Sequence, residues 1–499
     1  MTVKKYILTA DDVEDNLTSH LQDVPLSANM GRELKALIDS GGGGGVALIT
    51  ATAGANGMIS PIGEIGVIKG ESKTFTITPN SGYAIDDVKV DGVSVGKVDT
   101  YTFENVQGNH TLRADFIVIP QRYYTFTINK ATASTSPTTC VSYSEGVSTA
   151  SQAYEVAKRW IVPTVVKNGQ VNYYLYRKDL SKKATDETGD VSAGTASTLT
   201  GTDGDVCASI CPLWWKVITN DANSLTIRIS DGAFSGAMSA HKFNGTIRKY
   251  LHVGMFHSTA QACTSIYSTS AKPKADVTHD NFRSSTEARG DTYNIMTYLT
   301  WTLLDIIWVF ASGSTDSQTT IGQDYTGGSA TTYVSTSAML TADGYTSSTK
   351  SSTTTSLMYL YIANPWGSVR DWVAGLKAYG GSTGVVTDQK DARGVTVDAA
   401  IPSAWTKFTT PTLTSSNYIK EVLGSTEAPF FPKTGGASTS TYYCDYGYSK
   451  SGTYCGNVGG YYDDGGTAGA FRLYVYYSSS RADAFFGARL QVLDVNPAT

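Results

Sequence analysis

The side chains in this sequence best suited to chemistry are a few thiols, imidazoles and carboxylates, and their spacing argues against most reactions. Cys140, Cys207, Cys211, Cys263, Cys444 and Cys455 are too sparse to form a disulfide framework. Most read as small buried or surface thiols. Cys207-x-x-x-Cys211 has half the spacing of a metal site, but no second Cys/His pair at zinc-like spacing accompanies it. Alternation along Val206 to Trp215 reads instead as a strand, and Cys444 and Cys455 stay open as a local disulfide or as exchangeable positions. His20, His110, His241, His252, His257 and His279 are scattered, with no His-x-x-x-His or His-Glu-x-x-His arrangement. Asp463-Asp464 could bind a divalent cation or act as a carboxylate pair, but neighbours on a strand point to opposite faces, which favours a solvated loop. No metal and no cofactor are expected.

What the sequence offers instead is a surface for recognition. From Tyr442 to Leu490 the chain is crowded with Tyr, Asp, Ser and Gly, and is closed by Ala470-Phe471-x-Leu473 and Gly487-Ala488-Arg489-Leu490. Tyr442, Tyr443, Tyr446, Tyr448, Tyr454, Tyr461, Tyr462, Tyr474, Tyr476 and Tyr477 supply contact area at low rotamer cost. Asp445, Asp463, Asp464 and Asp483 add acceptors, Ser480 a hydroxyl, Phe485 apolar area, and Arg472 or Arg481 a fork for carboxylate or sugar groups. From Ser451 to Leu490 there is no Lys, Glu, Gln, Met or Trp, the residues that a codon ending in a pyrimidine cannot encode. The layout resembles the variable region of proteins diversified by phage and bacterial diversity-generating retroelements. The segments that carry the resemblance are Gly459-Gly460, Tyr461 to Asp464, Ala468 to Leu473, Tyr474 to Asp483, and Gly487 to Leu490. It implies that Tyr461, Tyr462, Asp463, Asp464, Arg472, Tyr474, Tyr476, Tyr477, Ser480, Arg481, Asp483 and Phe485 are exchangeable, within a variable region of about 442–485. The alternative reading is a Tyr-rich antiparallel sheet with solvated faces.

The elements that must position these residues are mainly strands. Low charge, abundant Gly, Ser, Thr and Tyr, and alternating segments separated by Gly, Asn and Asp point to a predominantly β protein of two to four domains. The formal net charge of -5 gives no basic groove, so no nucleic-acid partner is expected. Tyr298 to Ala311 is too short to span a bilayer and carries Asp305, so it reads as a buried core helix, and no membrane insertion is expected. Met1 to Asp15 lacks the pattern of a secretory signal, so synthesis and assembly in the cytoplasm are expected.

Along the chain, residues 1–45 are expected to form an N-terminal attachment or oligomerisation segment. Met30, Leu34, Leu37 and Ile38 lie at helical spacing behind Ser27 as N-cap, and Gly41 to Gly45 form a linker. Leu17-Thr18-Ser19, Pro25-Leu26-Ser27-Ala28, Gly31 and Leu34 resemble a module found near the start of phage head-fibre and tail-fibre proteins. Residues 46–122 alternate as short strands over Ala47–Thr50, Lys73–Thr78, Val88–Val90 and Thr111–Ile117, with turn signals at Asn80-Ser81-Gly82 and Asp91-Gly92. With Gly82-Tyr83 and Tyr101-Thr102-Phe103, they resemble the small β repeat of internalin-type surface proteins, which implies a spacer. Residues 123–499 read as one large α+β domain. In it, Met296, Leu299, Leu303, Ile306 and Ile307 form one helical face over Asn294 to Phe310, and Asn364-Pro365-Trp366-Gly367-Ser368-Val369-Arg370-Asp371-Trp372-Val373 combines a tight turn with two Trp anchors. That turn, Ser317-Gln318-x-x-Ile321-Gly322 and the Gly487 to Leu490 ending resemble the C-type-lectin fold of formylglycine-generating enzymes and retroelement variable proteins. The paired cysteines and Arg-Gly-Gly-Ser-type segment of those enzymes are absent, so oxidase activity is not expected.

Together the resemblances imply a fibre protein on a virion, a homotrimer docked on a phage capsid or tail protein through residues 1–40. Its C-type-lectin-like tip would bind a bacterial surface receptor, protein or glycan, without catalysis. Alternatives are a capsid decoration protein without a specific receptor, a surface-glycan depolymerase, and a variable protein displayed on a bacterium.

Overall fold

The computed structural model describes residues 45–80, 83–118, 122–322, 337–346, 357–411, 413 and 415–498. The expected N-terminal helix and its Ser27 cap lie outside these residues. As composition implied, the fold is mainly β, with one sheet curled into a half-barrel. The chain divides into two units, with the boundary between Pro120 and Gln121.

In the first unit, period-two alternation buries Ala47, Ile49 and Ala51 of the strand Val46–Ala53 and leaves Val46 and Leu48 exposed. This strand runs antiparallel to Gly63–Ile68 and parallel to His110–Val118, which in turn pairs with Tyr83–Val90. Asp91 and Gly92 both adopt positive φ (50° and 78°), the geometry of a two-residue hairpin turn, and lead into Val93–Gly96. A separate sheet of Gly57–Ser60, Lys73–Pro79 and Thr100–Phe103 contributes Phe75 and Ile77 to the same core.

The second unit holds the tyrosine-rich region. Its largest sheet runs in the order Thr406–Thr409, Ser382–Val385, Arg370–Tyr379, Tyr454–Val458, Leu473–Tyr477, Tyr446–Ser449, Asn417–Val422 and Pro432–Gly435, with Phe486–Gly487 joining Arg370–Tyr379 in parallel. The helix expected from Asn294 begins instead at Tyr298, because Tyr293–Ile295 is drawn into a ladder with Leu490–Leu493 and Thr297 caps the first turn. Apolar on every side, this helix is buried all round rather than along one stripe. Its Trp301 donates from the indole nitrogen to the Ala470 carbonyl at 3.2 Å, and Trp308 packs edge-on against Trp366. The single strand expected over Val206 to Trp215 is two, Asp205–Ile210 and Trp214–Asn220, because Pro212 between them cannot donate to a ladder.

One buried side chain ties these elements together. Arg489 donates from Nη1 to the carbonyls of Gly254 and Met255 (both 3.0 Å), and from Nη2 to those of Ala363 (3.0 Å) and Asn364 (3.1 Å). It also faces Asp371 at 3.4 Å and lies 3.1 Å from His257 Nε2, which itself sits 3.3 Å from the Asp371 carboxylate, and burial lowers the pKa of that imidazole. Next to the gripped carbonyls, Leu360 and Tyr361 turn at φ 49° and 63°, a left-handed conformation costing roughly 1–2 kcal/mol per non-glycine residue.

Arg489→Met is expected to leave the buried Asp371 carboxylate with His257 as its remaining partner in place of a guanidinium, and to lower unfolding free energy by about 3–5 kcal/mol. Denaturant melts should show that loss, partly recovered in the Arg489→Met/Asp371→Asn double variant. A second expectation concerns His241, fully buried beside the Ile210 carbonyl (2.9 Å), whose pKa burial lowers to about 4. The unfolded chain binds this proton below about pH 6.5 and the native chain does not until about pH 4, so stability is lost as pH falls through that window. At pH 5 the loss is about 2 kcal/mol. His241→Gln should flatten the change in unfolding free energy between pH 7 and pH 5, read from denaturant melts, by that amount.

Candidate ligand-binding surface

The strands Tyr446–Ser449, Leu473–Tyr477 and Tyr454–Val458 lie side by side in the middle of the nine-stranded sheet. Alternation turns Gly447 and Ser449 inward and leaves Tyr446 and Tyr448 half-exposed. From there the rings touch in series. Tyr448 and Tyr454 both pack on Tyr476 (4.6 and 5.8 Å between centroids), which meets Tyr477 (5.4 Å), then Phe486 (4.9 Å) and Phe485 (5.0 Å). Phe485 continues to Tyr461 (4.8 Å), and Tyr461 to Tyr462 (5.1 Å). Apart from buried Phe486, every ring of this series is half-exposed. Lys450 lies 5.2 Å from the Tyr476 centroid, and Arg481 lies 5.6 Å from Tyr477 and 5.7 Å from Phe485. The hydroxyls of Tyr448, Tyr454, Tyr461, Tyr462 and Tyr476 make no hydrogen bond among the described residues, so their polar ends remain available. Because the rings already hold one another, a partner would find much of their rotamer entropy already removed.

Beneath this face sits Arg370, contributed by the Trp-anchored turn. Its guanidinium lies 4.3 Å from the Tyr461 centroid, 5.2 Å from Phe485, 5.4 Å from Tyr474 and 5.7 Å from both Tyr477 and Phe486. It donates to the Tyr477 hydroxyl at 2.7 Å and pairs with Asp464 at 3.2 Å. Asp464 also holds Arg472 at 2.7 Å, so two buried cations share one carboxylate and the surplus charge is spread over aromatic faces. Sequence reasoning treated this turn only as core and missed Arg370. An Arg between two Trp anchors was the available signal.

Several expected contact residues prove to be interior. Tyr443 is 3% exposed and packs edge-on against Phe430 and Phe471. Asp445 is fully buried, accepting the Phe471 N–H at 2.9 Å, and burial pushes its carboxyl well above the usual range. Gly469 must be glycine because a Cβ there would overlap that carboxylate. Arg472 (2% exposed) and Tyr474 (6%) are also enclosed, Tyr474 bonding to Ser416. These four are corrected from ligand contacts to parts of the platform, because their strands and turns aim them into the core. Asp464 is committed to its two arginines and sits on a turn rather than a strand, while adjacent Asp463 is exposed. Ser480 and Arg481 are exposed, Asp483 is half-buried beside Arg481, and half-exposed Tyr442 joins none of the ring pairs of the series.

The thiols are held away from reactivity. Cys444 and Cys455 are both free and buried, so the local disulfide is not formed. Burial raises the pKa of all six cysteines, reaching about 11 at Cys211 and about 12 at Cys263, the opposite of the electropositive setting that activates a thiol. Gly92–Gly96 and Gly380–Gly384 have Gly-x-Ser-x-Gly spacing, but both belong to β-hairpins, not to the strand–turn–helix elbow that exposes a nucleophile.

No protein-family model matches this chain, and no curated protein matches it.

Charge accounting in the platform sets the next expectation. Asp464→Asn leaves Arg370 and Arg472 without their shared carboxylate and should lower unfolding free energy by about 3–5 kcal/mol. Asp463→Asn, one residue away and exposed, should change it by less than about 0.5 kcal/mol. Parallel urea melts of the two variants check the contrast.

Proposed function

We propose that the chain is a receptor-binding fibre protein of a phage, whose C-terminal unit has a C-type-lectin-like fold of the retroelement-variable type and whose half-exposed tyrosine face grips a ligand on the bacterial surface. The observation that carries this reading is the series of ring contacts from Tyr448 and Tyr454 to Tyr462, which begins on three adjacent strands with Tyr448, Tyr454, Tyr476 and Tyr477 and continues through Phe486 and Phe485 to the turn that bears Tyr461 and Tyr462. Aromatic side chains with free polar ends, already ordered, are the composition of paratopes and of interface hot spots. The fixed residues separate from the face: Trp366, Trp372, Phe471, Leu473 and Arg489 are buried, whereas Tyr476, Tyr477, Ser480, Arg481 and Phe485 reach solvent. Tyr476, Ser480 and Arg481 can change without opening the core, whereas Tyr477 and Phe485 also pack around Arg370.

In this reading residues 1–40 dock on a capsid or tail protein and residues 46–122 act as spacer. Three tips per fibre, and many fibres per particle, turn weak contacts into avidity. The chain acts by binding, without cofactor or catalysis.

Purified full-length protein is expected to bind host cells, and the Tyr448→Ser/Tyr454→Ser/Tyr476→Ser variant to lose at least about tenfold in affinity. Cell-binding isotherms measure this, with circular dichroism confirming that the variant is folded. Absence of binding by the parent chain, or equal binding by the folded variant, sinks the adhesin reading. Sequencing the locus across particles tests diversification: substitutions should gather at the solvent-facing positions within 442–485 and spare Tyr443 and Asp445.

A further inference from the structure

Away from the ring series, a cleft of about 480 Å³ opens between the Lys130–Ser134 segment and the Asn220–Ala222 turn on one side and the strand Asn417–Val422 with Lys433 on the other. Tyr442 lines it, and the volume suits a small organic ligand. Its walls are cross-linked. Lys130 Nζ donates to Asn220 Oδ1 at 2.8 Å and to the Asp221 carbonyl, while the Asn220 amide donates to the Leu423 carbonyl at 2.9 Å.

The charges in the cleft do not cancel. Lys130, Lys420 and Lys433 face Asp221 and Glu421, one more cation than anion. Asp221 is occupied by its own turn, accepting the N–H groups of Asn223 and Ser224 at 2.8 Å each. Glu421 and Lys433 are 3.7 Å apart and about half exposed, a weak pair. Lys420 is exposed and has no carboxylate within ion-pair distance among the described residues. Its ammonium lies 5.9 Å from the centroid of the Tyr442 ring. Burial lowers the Lys130 pKa despite nearby Asp221 and Glu421, so its charge is incompletely compensated.

Tyr442 itself is held in a strained state. Its φ of 58° is left-handed, and it is pinned there by its N–H to the Ala133 carbonyl (2.6 Å) and by the Thr315 hydroxyl on its own carbonyl. Glycine would adopt this backbone without penalty, yet the position carries a ring beside an uncommitted lysine.

We propose that this cleft is a binding site for an anionic saccharide, the sugar ring stacking on Tyr442 and its carboxylate or phosphate lying among Lys420, Lys130 and Lys433. The site is separate from the tyrosine face and does not rest on the adhesin reading. An aromatic ring beside clustered ammonium groups meets both halves of such a ligand, the apolar face of the sugar and its charge.

The test is calorimetric titration of the full-length chain with a neutral maltooligosaccharide, its 6-phosphorylated form and an oligogalacturonate. At least one acidic oligosaccharide should bind about tenfold or more tightly than the neutral one, with affinity falling as salt rises. The tighter acidic ligand identifies the anion as carboxylate or phosphate. Lys420→Gln and Tyr442→Gly should each weaken binding about tenfold, whereas Tyr442→Phe, which keeps the ring, should retain it. Tyr442→Gly suits the left-handed backbone, so loss of binding by a folded variant reports the ring. Binding of neither acidic ligand, equal affinity for the neutral one, or parental affinity in both Lys420→Gln and Tyr442→Gly overturns the proposal.

Discussion

The Arg489–Asp371 pair is the constraint around which the second unit is arranged. A guanidinium in the interior is tolerable only if nearly all of its donors are answered, and here carbonyls from two distant segments and a carboxylate answer them, with the His257 imidazole alongside. That requirement brings together the strand Leu251–Gly254, the left-handed bend before Asn364 and the start of Arg370–Tyr379. It also anchors the chain's last strand, whose Leu490–Leu493 ladder determines where the buried helix begins. The pair therefore contributes specificity of arrangement more than raw stability.

A second arrangement of charge sits one layer further out. Arg370 and Arg472 share Asp464, and the remaining positive charge is met by the electron-rich faces of Tyr461, Tyr474, Tyr477 and Phe485. Tyr461, Tyr477 and Phe485, which surround the cation, are also half-exposed members of the ring series, so the platform and the face are coupled through a few aromatics. Tyr448 and Tyr462 stand outside that coupling and outside the core, free to serve contact alone.

Much of this was legible from local pattern. Alternation located four of the eight strands described in the first unit, those at Val46–Ala53, Lys73–Pro79, Tyr83–Val90 and His110–Val118, and Asp91-Gly92 is the hairpin turn its residues suggested. Trp366 and Trp372 are core, and the apolar run around Leu303 is a buried helix. Misreadings occurred where a distant segment decides the outcome. Whether Tyr474 or Tyr476 faces solvent depends on a register shift between Cys455 and Gly456 in the neighbouring strand, which no spacing within Leu473–Tyr477 reveals. Asp445 reads as a polar loop residue until Phe471 and Gly469 close over it. Pro212, by contrast, was a local signal that should have split the expected strand.

By itself the sequence determined the mainly β character of the chain, the turns that need glycine, and the concentration of tyrosine near the C-terminus, because these follow from short-range preferences and composition. Only the tertiary structure decided which tyrosines are surface and which are platform, that Arg370 underlies them, and that Tyr442 belongs to a separate lysine-lined cleft. The physical reason is that burial and charge pairing are settled by contacts between residues far apart in the chain, whose energies no local window contains.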